Sequence, residues 1–259
     1  MKKKYINEVH SRLIPANSVA KEILTEKDIE CLPLQVKKYI RLSGFVGKEK
    51  ISNVFIKASG KIRSNPDAGW MHFTSEQYNF FNSPFRAFYI RAKKQGIPAT
   101  GLHLYKAETA SMVIKILGLF KVVDAKGHEM NQGETVTVLN DMCFMAPGSL
   151  ISPKIQWEEI DANQVKAIFT NGKISVSAIL TFDNDGRLVN FLSNDRFETS
   201  DGKKYYNFPW ETPVLEYADF NGFHLPSKAD VIYKHPEGDF CYLVFNVEDI
   251  KYNVSQLQL

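Results

Sequence analysis

The sequence holds only three cysteines, Cys31, Cys143 and Cys241, far apart and odd in number. That excludes a disulfide framework and a cysteine-based zinc site, and it suits a reducing compartment. Its six histidines, His10, His72, His103, His128, His224 and His235, include no H-x-H pair and no two-histidine helical spacing. His128-Glu129 begins as a metalloprotease helix does, but Gln132 stands where the second histidine belongs. The hydrolase elbow is missing too, because Gly148-Ser149 has no glycine two positions beyond the serine. Gly44-Phe45-Val46-Gly47-Lys48 lacks the four-residue interval and the following hydroxyl of a phosphate loop. MKKKYINEVHSRLIP starts basic, yet no apolar stretch follows it, so neither a signal peptide nor a membrane span is visible. A cytoplasmic protein is therefore expected, and no motif implies a metal or a cofactor.

What is present points to a folded, sheet-rich protein. Forty-four per cent apolar residues in a chain of 259 suffice for a sizeable core in one large domain. Eighteen phenylalanines and eleven tyrosines favour strands, because planar side chains suit a pleated surface. The net charge of +3 is unevenly spread. Residues 1–63 hold fourteen Lys and Arg against six Asp and Glu, and the remainder holds eighteen against twenty-three. A basic first quarter of this kind lies against an anionic surface such as a membrane, or against the acidic body of its own molecule. No nucleic-acid-binding module accompanies it, so nucleic acid is not an expected partner.

Periodicity divides the chain. The first fifteen residues carry no clear pattern. From Asn17, apolar positions through Leu42 keep helical spacing, with Pro33 opening a second helix and Gly44 closing it. The period then changes to two. Strands are expected over 51–63, 70–81, 85–94, 101–106, 109–117, 155–161, 164–170, 173–182, 187–198, 214–220, 223–235 and 239–252. Asn171-Gly172 and Asn221-Gly222 have the chemistry of type I′ hairpin turns. Between the two sets of strands, Asn131–Leu150 reads as a central helix over 131–146. The last strand contains FCYLVFNV, apolar on both faces, so its second face is expected to be covered as well. The expected fold is α+β and mostly antiparallel β. It is a strongly curved sheet or incomplete barrel, with the central helix on its concave face and an N-terminal helical segment over 1–47. Residues 48–259 form the sheet and its helix, and 1–259 make a single domain.

LPLQVKKYIRLSGFVGK, GWMHFTSEQYNFFNSPFRAFYIRA, VVDAKGHEMNQGE, APGSLISPKIQWEEID, FDNDGRLVNFLSNDRF, the Pro209-Trp210-Glu211 corner and YADFNGFHLPSKADVIYK occur in one order. With these segments the chain resembles a family of bacterial proteins of unknown function. Many members of that family carry an N-terminal membrane segment that this sequence does not show. The resemblance also implies a basic residue on the central helix where Thr137 stands. More distantly, strand order and hairpin style resemble the lipoprotein-carrier proteins, whose curved sheet shelters acyl chains around helices. That implies a lipid-like ligand.

Candidate site residues follow from this picture. Glu134 and Asp141 lie seven apart, near one face of the central helix, at the expected rim of the hollow under the sheet. Two such acids divide acid and base roles where burial separates their pKa values. The plainer alternative places Glu134 in the first helical turn, where it favours the dipole, and pairs Asp141 with an arginine such as Arg196. Trp70, Phe88, Trp157 and Trp210 supply aromatic surface, and His103 and Arg196 supply polar contacts. Trp210 follows Pro209 and reads as a loop residue, where packing explains it less readily. The leading functional expectation is noncatalytic binding of an apolar or amphipathic, lipid-like small molecule. One alternative is an enzyme using Glu134 and Asp141 with Arg196 in a cleft. The other is a structural protein or a membrane-surface protein docking through its basic N-terminal segment.

Overall fold

The computed structural model describes residues 1–13, 21–94 and 96–258. Asn17, where the first helical pattern was expected to begin, lies outside the described residues. Three helices lead: α1 (Lys2–His10), α2 (Glu26–Ile29) and α3 (Leu34–Leu42). Six strands follow, β1 (Asn53–Ile62), β2 (Met71–Phe80), β3 (Phe85–Lys94), β4 (Ile97–Lys106), β5 (Thr109–Ile116) and β6 (Phe120–Ala125). Helix α4 (His128–Met145) comes next, and a single 3-10 turn (Pro147–Ile151) ends it. The second set of strands begins with β7 (Ile155–Glu159), β8 (Gln164–Asn171), β9 (Ile174–Phe182) and β10 (Leu188–Ser193). Three short strands, β11 (Phe197–Glu198), β12 (Tyr206–Asn207) and β13 (Trp210–Glu211), lead to β14 (Val214–Phe220), β15 (Phe223–His235) and β16 (Gly238–Tyr252).

All pairings are antiparallel. The main sheet runs in the order β6-β5-β4-β3-β2-β1-β16-β15-β13-β10-β9-β8-β7, with β14 attached to β15. Two meanders, one from each half of the chain, meet where β1 pairs with β16. The result is a mostly antiparallel half-barrel with α4 packed on its sheet. The edge strands of this sheet, β6 and β7, are the two strands that flank α4 in sequence. Only Lys126-Gly127 precedes the helix, and a short turn follows it. The chain must therefore pass from one edge to the other along α4, whose eighteen residues span roughly 27 Å. That constraint lays the helix across the concave side. It also buries nearly every face of it: fourteen of its residues, including Glu134, Thr135, Thr137, Asn140 and Asp141, are buried. A helix that meets protein on all sides does not show a polar stripe.

The structure meets most of the expected strands and adds to them. β6 was not anticipated, and it sits at the sheet edge with Phe120 and Val122 exposed and Val123 and Ala125 buried. The strand expected over 187–198 breaks after Ser193, because the Asp195 carboxylate takes the Ser177 N–H of β9 at 2.6 Å, a position the ladder would otherwise use. Helix α1 falls where no pattern was legible. Its buried stripe is only Tyr5 and Val9, four residues apart, seated on Phe55, Tyr78, Phe85 and Tyr89 of the convex sheet face. Lys2 pairs with Glu76, and Lys106 reaches Glu8 at 3.2 Å. Part of the basic N-terminal segment thus rests on its own molecule.

The hairpins divide. Asn221 and Gly222 both adopt positive φ (53° and 87°) between the paired residues Phe220 and Phe223, as a type I′ turn requires. At Asn171-Gly172 the expected turn shifts by one residue. Asn171 ends β8 opposite Ile174, and Gly172 takes the first central position with φ 60°, the pattern of a type II′ turn. Asn171 is held in the strand by its side chain, which donates to the Tyr105 hydroxyl (2.8 Å) and the Ala107 carbonyl. Local chemistry yields there to a buried tertiary bond.

Gly44 closes α3 at φ 79°, and a Cβ there would lie 2.7 Å from the Gly222 carbonyl oxygen. Gly47 has a similar φ of 83° with no atom within 4 Å. Gly47→Ala is expected to lose about 1 kcal/mol from backbone strain alone. Gly44→Ala should lose at least about 2 kcal/mol, because strain and backbone contact add. Urea midpoints measured side by side test this, and equal losses would remove the role given to the Gly44–Gly222 contact.

Candidate functional site

A cavity of about 330 Å³ lies between α4 and the concave face of the sheet. Its walls are mainly apolar, drawn from Ile90 of β3, Met112 and Ile114 of β5, Met130 and Phe144 of α4, and Phe245 of β16. The apolar character of FCYLVFNV finds its explanation here. Leu243, Phe245 and Val247 line the hollow and remain half-buried. The second face of that strand is covered less completely than expected, since no residue from Cys241 to Val247 is fully buried.

One wall of the cavity is charged. Arg86 enters from β3 and bridges both helix acids, with Nη1 3.1 Å from Glu134 Oε2 and Nε 2.8 Å from Asp141 Oδ2. Gln77 and Asn79 of β2 also donate to Asp141 Oδ2, each at 2.8 Å. Gln77 Oε1 in turn accepts from Arg86 Nη2 at 3.2 Å. His103 of β4 places Nδ1 3.4 Å from Glu134 Oε1, and its ring meets Phe88 edge-on at 5.6 Å. The Arg86 guanidinium sits 4.9 Å over the Phe88 ring. Every one of these sheet residues has the same strand parity, so alternation alone directs them to the concave side.

Arg196 approaches α4 from another side. The break after β10 turns it inward, where Nη1 donates to the Gly133 carbonyl at 2.8 Å. A Cβ on Gly133 would stand 3.3 Å from that nitrogen, so glycine is what lets the guanidinium lie against the helix backbone. Thr137 donates to the same carbonyl at 3.1 Å. The Arg196 guanidinium stacks 4.8 Å over Trp210, and its Nε is buried without a hydrogen-bond partner. The resemblance implied a basic residue at Thr137. Arg86, from β3, and Arg196, from the break between β10 and β11, supply positive charge to the helix instead.

The two acids differ in ionisation. Burial pushes Glu134 up, but the Arg86 charge, the His103 hydrogen bond and charge, and Arg196 outweigh it and bring the carboxyl down to about 2. Burial also raises Asp141, and Arg86 and Asn79 offset this only in part, so its carboxyl stays above the ordinary range. Neither acid sits at a rim: Glu134 is 1% and Asp141 5% exposed. Nor does Glu134 serve the helix N-terminus, since α4 begins at His128 and Glu129 occupies the first turn. The anticipated Asp141–Arg196 pair is replaced by Asp141–Arg86.

Phe88, His103, Glu134, Asp141, Arg196 and Trp210 thus line one cavity. Trp210 belongs to strand β13 and not to a loop. It is buried against Phe191, and its Nε1 donates to the Tyr242 hydroxyl at 3.2 Å. Trp70 and Trp157 lie elsewhere. Trp70 is 40% exposed beneath Arg63, just before β2, and Trp157 belongs to the edge strand β7. Sequence reasoning missed Arg86, Gln77 and Asn79. A signal existed, for residues 85–90, FRAFYI, are apolar on both faces except for Arg86, and a charge inside such a stretch requires a buried partner. Cys143 is fully buried, and burial pushes its thiol up, which fits a core residue. Among the described residues no group of three or more His, Cys, Asp or Glu is arranged to hold a metal ion.

An antiparallel half-barrel closed by a crossing helix, with an apolar cavity and an ionic cluster between them, defines the class of protein. The chain belongs to the family of unknown function DUF6544, whose model matches residues 22–245. No curated protein matches the sequence. Two solved structures are similar in fold. A domain named for outer membrane lipoprotein sorting, from Vibrio parahaemolyticus, has 8% identity and a TM-score of 0.46, covering 80% of this chain and 88% of its own. A DUF1329 family protein from Desulfovibrio piger ATCC 29098 has 11% identity and a TM-score of 0.47, covering 91% and 96%. Among the described residues no helix is long and apolar enough to cross a membrane.

Two predictions follow from the cluster. Arg86→Met strands two buried carboxylates and should cost about 3–5 kcal/mol of stability. Adding Glu134→Gln and Asp141→Asn should restore much of that loss in urea unfolding. For Glu134, a folded pKa near 2 against 4.5 for the free group means its ionised form stabilises the fold fully above pH 4.5. That contribution, roughly 3 kcal/mol, is lost as pH falls from 4.5 towards 2. Asp141, raised in the fold, works in the opposite sense. The stability gap between wild type and Glu134→Gln should therefore shrink across that window, and a constant gap would contradict the Arg86–Glu134 assignment.

Proposed function

We propose that this protein is a noncatalytic binder of a single-chain, lipid-like amphiphile held in the cavity between α4 and the sheet. The observation that carries the reading is the pairing of apolar walls with one ionic wall inside a single hollow. About 330 Å³ is at the small end of ligand cavities, which suits one chain rather than two. The chain lies along Ile90, Ile114, Phe144 and Phe245. The polar end reaches Arg196 and His103 and accepts hydrogen bonds, since guanidinium groups only donate.

Glu134, Asp141, Arg196 and His103 line the same cavity, as the enzyme alternative also requires. The chemistry favours binding all the same. A carboxylate held near 2 is a weak base at neutral pH, and the Asp141 oxygen facing Arg86 already accepts three hydrogen bonds.

Organic extraction of purified protein, analysed by mass spectrometry, should release a single-chain amphiphile. Delipidated protein should take up cis-parinaric acid, and Ile114→Trp or Met112→Trp, which fill the hollow, should weaken that uptake about tenfold or more. Absence of both an extracted lipid and probe uptake would sink the proposal. So would uptake unaffected by either tryptophan.

A further inference from the structure

The β5–β6 hairpin carries KILGLFKV, and its tip is bare. Leu117, Leu119, Phe120 and Val122 are 52, 76, 64 and 47% exposed, and Ile97 beside them on β4 is 50% exposed. Scattered exposed apolar residues need no explanation, but a contiguous set on one hairpin does. The backbone adds to the anomaly. Leu117 and Gly118 both have positive φ (54° and 71°), and the Leu119 N–H donates to the Ile116 carbonyl at 3.2 Å. This is a Leu-Gly version of a turn that Asn-Gly makes without strain. A bulky apolar side chain therefore occupies a position unfavourable to it, where nothing in the fold rewards its presence.

Behind the tip lies a basic band. Strand register places Arg91, Thr100, Lys115 and Lys121 opposite one another in one row across β3, β4, β5 and β6. Lys61 and Lys93 align with His72 in the next row on the same face. Like charges at Lys115 and Lys121 face each other directly, an unfavourable arrangement that an external anionic surface relieves. Lys61, Lys93 and Lys115 form no hydrogen bond or ion pair among the described residues. Lys121 does pair with Asp124 at 2.6 Å, the one acid beside the band on this hairpin, and Lys126 lies 3.7 Å from the same carboxylate.

We infer that the β5–β6 hairpin tip and this band form a docking surface for an anionic lipid bilayer. The leucines and Phe120 enter the acyl boundary, and the lysines and arginine lie at headgroup level, where each basic side chain contributes about fivefold to partitioning. A second copy of the chain suits the patch poorly, because a two-fold contact would set the basic band against itself. The same end of the sheet bears Ile62 and Met71, which line the cavity. The docking surface stands, however, whether or not the cavity takes a lipid.

Co-sedimentation with vesicles of phosphatidylglycerol mixed with phosphatidylcholine, compared with phosphatidylcholine alone, tests the inference. Wild type should sediment with the mixed vesicles and release as salt rises. The triple variant Leu117→Asn, Leu119→Ser, Phe120→Thr should bind about tenfold less or weaker. It should melt no lower than wild type, since asparagine relieves the turn. Lys93→Glu with Lys115→Glu should lose the preference for phosphatidylglycerol while parinaric acid uptake stays unchanged. Equal sedimentation of wild type and variants would overturn the inference. A wild-type dimer in sedimentation velocity that the triple variant makes monomeric would overturn it in favour of a second copy.

Discussion

The structure depends on one topological constraint. The free edges of the sheet are consecutive in sequence except for α4, so the helix must cross the open side of the half-barrel. An element in that position cannot turn a polar face to water. Each polar group it carries has to find a partner on the sheet, because an unsatisfied buried group costs about 1–3 kcal/mol. Tyr105 meets Thr135 at 2.9 Å, Thr212 meets Asn140 at 2.7 Å, and Arg86 meets both acids. The ionic cluster is thus the means by which a polar helix is seated in an apolar concavity.

That seating also explains why the hollow is open. Apolar packing around α4 is strong towards β9 and β10, where Leu139, Met142 and Cys143 join the main core. Towards β2 and β3 the helix is held off the sheet by the length of Arg86 and by the Gln77 and Asn79 side chains. Long polar side chains act as spacers, and the space they leave is lined by Phe88, Ile90 and Ile114. Cavity and charge cluster are two results of the same arrangement.

Much of the fold was legible in the sequence. Period-two alternation and turn residues such as Asn221-Gly222 placed β3, β14 and β15 at their observed bounds. The curved sheet with a central helix followed from the strands on either side of α4. What stayed hidden was tertiary. Tyr5 and Val9 are too few to announce a helix. β6 is short and buries only Val123 and Ala125, too few to mark a strand. Glu134 and Asp141 were visible as a pair, but their partner lay 48 and 55 residues away in Arg86. Spacing along a helix cannot show which strand will face it.

The pairing of β1 with β16 brings Val54 to Tyr252, joining the first strand to the last. Every hairpin on either side can form early from neighbours, but this seam requires closure of nearly the whole polypeptide, the slowest kind of contact to make. The cavity takes its walls from both halves, Ile90 and Ile114 from one and Trp210 and Phe245 from the other, so it is complete only once the seam has closed.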